Sequence, residues 1–145
     1  MREELVDDAM HLFDAGYNCA ESIFSAGAKC LGMDEKSFSR IATGFGGGLS
    51  GTKSVCGAFT GAVMVLGAKF GRTDLTDGRA LITGKVQELS RAFIDKFGST
   101  NCYSLTGLDF TSPEDMNRYK NKVHREICKE IVSFTARKLS ELLKN

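Results

Sequence analysis

Tryptophan is absent from the 145 residues and proline occurs once, at Pro113. With so little proline and few runs of alternating polarity, nothing specifies strands strongly, and helices are the expected elements. Charge of one sign is also missing. Nineteen basic residues stand against 18 acidic ones, a formal net charge of +1, which removes the electrostatic basis for binding nucleic acid or an anionic membrane surface. The longest apolar run, Val55 to Ala68, contains three glycines and falls short of the ~20 residues that a bilayer-spanning helix needs, so it reads as a buried core helix. No Cys-x-x-Cys pair exists, because successive cysteines lie 11, 26, 46 and 26 residues apart. Zinc-finger and thioredoxin motifs are thereby excluded, as is covalent haem at a Cys-x-x-Cys-His. The first eight residues carry four acids and no apolar segment, so no secretory signal is expected and a reducing cytoplasmic location follows.

What the chain does have is enough apolar sequence, 42%, to bury a core as a single domain spanning residues 1–145. Its five cysteines are therefore not needed as staples. Leu5, Ala9, Leu12 and Phe13 recur at helical spacing up to Gly16. Asn18 can cap a second helix, with Glu21 completing a capping box, so that Cys19 falls in its first turn and Cys30 near its end. Asp34 or Glu35 opens a short helix, Lys36 to Ala42. Five glycines then crowd residues 44–51, the signature of unusual dihedrals or a close approach. Ser54 is expected to cap a helix from Val55 to about Phe70, with Cys56 at its start. A long amphipathic helix is expected over Leu75 to Phe97 and ends at Gly98. Ser99 or Thr100 can cap a short helix containing Cys102. The last helix, about Met116 to Leu143, carries Cys128 one turn after His124. The expectation is an all-α, single-domain bundle of about five to seven helices, with a glycine-rich loop before the central one.

Three cysteines, Cys19, Cys56 and Cys102, thus stand at helix starts, where free N–H groups and the helix dipole favour a thiolate. Gly44 to Gly51 invites a phosphate-binding reading, but the Gly-Lys-Ser/Thr ending of a P-loop is missing. The glycine N–H groups can instead donate to thiolate or cluster sulfur and so tune a redox potential. Gly57 and Gly61, four apart, permit close approach of a second helix. His124 and Cys128, at i and i+4, share a helix face and can ligate one metal. His11 has a weaker claim on a polar face, and Cys30 reads as packing.

Together, Asn18-Cys19-Ala20, the glycine loop Gly44 to Gly48, Cys56-Gly57-Ala58-Phe59-Thr60-Gly61-Ala62, Phe97-Gly98-Ser99, Cys102 with Leu105-Thr106-Gly107, and Cys128 resemble a redox-active family named for its C, GCAxxG, C, C cysteine pattern. In this chain the central motif reads Cys-Gly-Ala-x-x-Gly. The resemblance implies that Cys19, Cys56, Cys102 and Cys128 are the working cysteines and leaves Cys30 outside. It further implies an origin in an anaerobic prokaryote and a likeness to segments of split-Soret cytochromes that are associated with an iron–sulfur centre. The expected function is electron transfer or thiol/disulfide chemistry at these four cysteines, as an oxidoreductase or electron-transfer component. An iron–sulfur cluster would be ligated by them, with Gly46, Gly47, Gly48 and Gly57 beside it. In the disulfide cycle, Cys56 and Cys19 are the expected attacking thiols. The alternative is a binding module in which the four thiolates, or three with His124, hold zinc or another soft metal. A redox partner protein is implied; homo-oligomerisation stays open, and neither nucleic acid nor membrane is expected as a partner.

Overall fold

The computed structural model describes residues 2–144, apart from the side chains of Arg2 and Phe38. The chain folds as an all-α bundle. Helix α1 (Arg2–Ala15) buries Leu5, Ala9 and Phe13, and Gly16, at φ 112°, turns the chain out of it. Helix α2 (Cys19–Cys30) opens on the expected capping box. The Asn18 side chain accepts the Glu21 N–H at 2.8 Å, and the Glu21 carboxylate accepts the Asn18 N–H at 3.0 Å, which satisfies two otherwise orphaned donors.

Asp34 caps the short α3 (Glu35–Phe38), which runs on into a tighter 3₁₀ stretch, Ser39–Phe45. That stretch is fastened to the start of α2. The Thr43 hydroxyl donates to Glu21 at 2.9 Å, and the Asn18 amide donates to the Thr43 carbonyl at 3.0 Å. After the glycine-rich turn come α4 (Gly57–Phe70) and α5 (Ala80–Phe97), the latter ended by Gly98 at φ 84°. Helix α6 (Cys102–Thr106) precedes α7 (Pro113–Arg118), which continues without a break through a widened π-helical stretch, Tyr119–Cys128, into α8 (Lys129–Leu142).

The centre of the bundle is the contact of α2 with α4, which small residues make close. A methyl group added to Gly61 would lie 2.9 Å from the Ala20 carbonyl oxygen, and one added to Gly27 would strike Val65 at 2.5 Å. This is the use expected of Gly57 and Gly61. Leu66, Leu89, Phe93, Val132 and Leu139 close the core around that pair of helices. At the end of α8, Lys85 donates to the Leu142 carbonyl at 2.9 Å and Lys69 donates to that of Leu143. Two cations thereby satisfy carbonyls that the helix leaves unpaired. No helix among the described residues is long and apolar enough to cross a membrane.

Four boundaries differ from the sequence expectation. Residues 75–79 are not helical: the Asp74 side chain accepts the Thr76 N–H at 2.8 Å, and Asp77 accepts that of Thr73 at 3.2 Å. These local bonds compete with the helix, and Leu75, 85% exposed, has no core to face. Ser54 caps nothing. It is extended, donating to Gly48 O at 3.0 Å and accepting the Cys102 N–H at 2.7 Å, while the Cys56 N–H donates to Thr100 O at 2.7 Å. This isolated bridge between Val55 and Asn101 makes Cys56 the N-cap of α4. Asn101 rather than Ser99 or Thr100 caps α6, accepting the Ser104 N–H at 2.9 Å. Ser112 and Pro113 open the terminal helix three residues early, with Pro113 at a position where its missing N–H costs nothing.

Candidate functional site

Four cysteines from four separate segments line one small cavity: Cys19 at the start of α2, Cys56 at the N-cap of α4, Cys102 at the start of α6, and Cys128 at the end of the π stretch. All are free thiols. Phe13, Leu105, Phe110 and Ile131 supply apolar walls, and Asn18, Gly47, Thr106 and Tyr119 complete the lining. The cavity holds about 40 Å³, room for about three water-sized bodies and far less than an organic substrate occupies.

The glycine-rich segment forms the roof by an unusual route. Gly47, Gly48, Leu49 and Ser50 are four consecutive residues in left-handed helical conformation, with φ between 55° and 67°. Glycine takes this conformation freely, whereas Leu49 and Ser50 each give up about 1–2 kcal/mol to it. The turn is held by Ser50 Oγ donating to Gly44 O at 2.8 Å, Thr52 Oγ1 donating to Gly48 O at 3.0 Å, and the Ser54 N–H on the same carbonyl. Its effect is to aim the Gly47 N–H at the Cys19 sulfur.

The expected glycines are spread around this arrangement in different roles. Gly47 lines the cavity. A side chain at Gly48 would strike Cys102 Cβ at 2.6 Å, one at Gly57 would strike Cys19 Sγ at 2.6 Å, and one at Gly46 would strike the capping side chain of Asn18 at 2.4 Å. Those three therefore keep the chain close to the cysteines and their cap.

The sulfurs do not ionise alike. Cys19 is held down to about 7, first by the Cys56 thiol donating to it, against the opposing cost of burial, and then by the N–H groups of Gly47, Ala20 and Ala58. Cys56 is pushed up, first because it is the donor to Cys19 and then by burial. Burial, followed by the charge of Cys19, raises Cys102 to about 11, and the same two causes in the same order raise Cys128. Of the three helix-start thiols, Cys19 alone is lowered. The helix-start effect is outweighed at Cys56 by donation to Cys19 and then burial, and at Cys102 by burial and then the charge of Cys19. Of the two expected attacking thiols, Cys19 is the one whose thiolate the site favours, with the Cys56 thiol donating to it.

One result follows for solution chemistry. Alkylation of the metal-free, reduced protein by iodoacetamide, followed cysteine by cysteine by mass spectrometry, is expected to modify Cys19 with a rate that rises through about pH 7 and levels off above it, because only the thiolate reacts. Cys102 is expected to stay slow until its own range near 11. Equal pH profiles at the two positions would contradict this assignment.

His124 does not line the cavity. Its ring stacks on Phe13, with centroids 4.1 Å apart and planes within 5°, and meets Tyr119 edge-on. Cys30 lies elsewhere, beside Glu4, Asp8 and Lys29, and His11 lines a separate surface groove with Asp8 and Lys29. Among the described residues, no three His, Cys, Asp or Glu side chains gather closely enough to hold one ion. Tyr119 and Phe110 belong to the site but carry no motif. Thr106 lies in the Leu105-Thr106-Gly107 segment of the family pattern, and its hydroxyl turns back to the Cys102 carbonyl at 2.8 Å.

A comparison with known proteins finds a match over residues 17–142 to the family described as "Putative redox-active protein (C_GCAxxG_C_C)". A relative from Archaeoglobus fulgidus, titled "Uncharacterized protein", is 29% identical over 136 residues, covering 86% of this chain and 83% of the relative. No solved structure matches. The matched segment holds all four cavity cysteines and the helices that carry them, and on that match the chain belongs to the redox-active C_GCAxxG_C_C family.

Proposed function

We propose that this chain is an electron-transfer protein whose Cys19, Cys56, Cys102 and Cys128 ligate an iron–sulfur cluster and exchange single electrons with a partner protein. The observation that carries this reading is the meeting of four thiols around an apolar cavity that no lysine, arginine or histidine lines. One sulfur there can be negative at neutral pH with backbone N–H support. Three further negative charges have no side-chain cation to offset them, so a cation must come with the ligand. The four sulfurs line one shared cavity, and an iron–sulfur cluster takes four thiolates while bringing the positive charge they need. Such a cluster supplies a one-electron carrier, for which four cysteine thiolates are the usual ligands.

The chain's own residues have distinct parts in this reading. The N–H groups of Gly47, Ala20 and Ala58 donate to Cys19 sulfur, which favours added negative charge at the site. Phe13, Phe110 and Ile131 keep bulk water from it. The small cavity leaves electrons, rather than an organic substrate, as what passes through.

A second reading is favoured by the contact between Cys19 and Cys56. The Cys19 thiolate attacks a partner's disulfide and expels one thiolate. Cys56, giving up its proton, then attacks the Cys19 sulfur and expels the other, leaving a Cys19–Cys56 disulfide and two electrons on the partner. Protein purified without oxygen, or reconstituted with ferrous iron and sulfide, separates the two. Bound iron with acid-labile sulfide and a visible absorption that dithionite bleaches are expected. A reversible two-electron disulfide without iron would replace the first reading by the second, and stoichiometric zinc alone would overturn both.

A further inference from the structure

The π-helical stretch Tyr119–Cys128 begins and ends on residues that line the cavity. That coincidence has a geometric basis. The two residues are nine positions apart, and at the ~3.6 residues per turn of an α-helix nine steps rotate by about 900°, which puts them on opposite faces. At the roughly 4.4 residues per turn of a helix with i→i+5 bonds, nine steps rotate by about 740° and bring both to one face. A regular helix through the same residues would send either Tyr119 or Cys128 away from the site. The widening is what lets the tyrosine and the cysteine face it together.

Tyr119 also differs from the other polar side chains of the lining. The Asn18 amide is spent on Thr43 O, and the Thr106 hydroxyl on Cys102 O. The Tyr119 hydroxyl has no acceptor of its own among the described residues, although its ring is fixed edge-on between Phe110, at 5.2 Å, and His124, at 5.4 Å. A phenol is protonated at neutral pH. A donor without an acceptor among the described residues thus belongs to the lining of the cavity that the four sulfurs share. From this placement we infer that Tyr119 is the hydrogen-bond donor that sets the reduction potential of the cysteine site, and that the π-helical stretch exists to bring it there.

This inference rests on reading the four cysteines as one redox site, but not on the choice of carrier. A donor to sulfur stabilises the more negative, reduced state and raises the potential. Tyr119→Phe keeps the ring and deletes the hydroxyl; Tyr119→Leu deletes both. The midpoint potential is measured by anaerobic titration of the iron-loaded protein or, if no iron and sulfide bind to the unaltered chain, in thiol–disulfide buffers. Tyr119→Phe is expected to lower the reduction equilibrium constant about tenfold, which is about 59 mV for one electron and about 30 mV for two. Its iron and sulfide content, or its count of reducible thiols, is expected to match the unaltered protein. An unchanged potential in Tyr119→Phe overturns the inference, and if Tyr119→Leu is then shifted, the residue serves packing alone. Absence of iron from both chains would count against the cluster and leave the tyrosine still testable.

Discussion

Serine in place of Cys56 is expected to leave the protein folded and to remove its redox site. Cys56 is the N-cap of α4 and makes no capping bond with its side chain, while serine is among the residues preferred there. Helix α4 therefore loses nothing at its start. The sulfur is lost from the centre of the site, where Cys56 donates to Cys19 and lines the cavity with Cys102 and Cys128. Under the cluster reading the variant retains roughly a tenth or less of the iron and sulfide, since even residues that only support metal ligands cost 10–100-fold in affinity. Under the disulfide reading the Cys19–Cys56 bond cannot form, and oxidant consumption falls accordingly. Cys30→Ser is the matched control, because Cys30 lies away from the cavity beside Asp8 and Lys29 and its loss is expected to change neither readout. Full iron loading and reversible oxidation in Cys56→Ser would defeat both readings at once.

Alanine at Gly48 is expected to have the largest effect on stability. Gly48 sits at φ 67°, and a Cβ there would lie 2.6 Å from Cys102 Cβ and 2.9 and 3.0 Å from the backbone N and O of Ser54. The two backbone atoms cannot withdraw, because the Ser54 N–H is bonded to Gly48 O and the Ser54 carbonyl accepts the Cys102 N–H. Left-handed strain and overpacking together cost about 2–4 kcal/mol, which lowers the melting temperature by roughly 10 °C for a chain of this size. The displaced groups belong to the strands of chain that carry Cys56 and Cys102, so weaker iron loading is expected along with lower stability. Gly44→Ala provides the comparison. A Cβ there would meet only Ser50 Oγ, at 3.9 Å, and a change within about 0.5 kcal/mol is expected. Equal melting temperatures for the two variants would show that the left-handed turn is not the constrained element described above.

Much of the framework was readable because its determinants are local. The Asn18–Glu21 box needs only an i, i+3 spacing, and it formed as expected. Gly16 and Gly98 stop helices by taking positive φ, a property of glycine itself. The placement of Cys19, Cys56 and Cys102 at helix starts was legible for the same reason. Where side chains offered competing local bonds, as at Asp74 and Asp77, apolar spacing alone overextended α5. Ser54 misled because a good capping residue was instead used as extended chain, bridged across to residues 100–102.

The sequence by itself determined an all-helical bundle, those helix ends that carry their own local cap, such as Gly16, Asn18 and Gly98, and the set of cysteines worth attention, since these follow from composition, periodicity and short-range capping. Tertiary structure decided the rest. Leu49 and Ser50 take a left-handed conformation that their own preferences oppose, and it persists because bonds to Gly44 and Gly48 hold it. Tyr119 enters the site because the helix widens over Tyr119–Cys128, which no helical periodicity of 3.6 anticipates. The difference between Cys19, at about 7, and Cys102, at about 11, arises because folding gives the first sulfur the Cys56 thiol and then amide groups as donors, and sets the second against apolar walls beside an existing negative charge. Ionisation depends on what surrounds an atom in space, and sequence spacing carries that information only as far as one or two turns of helix.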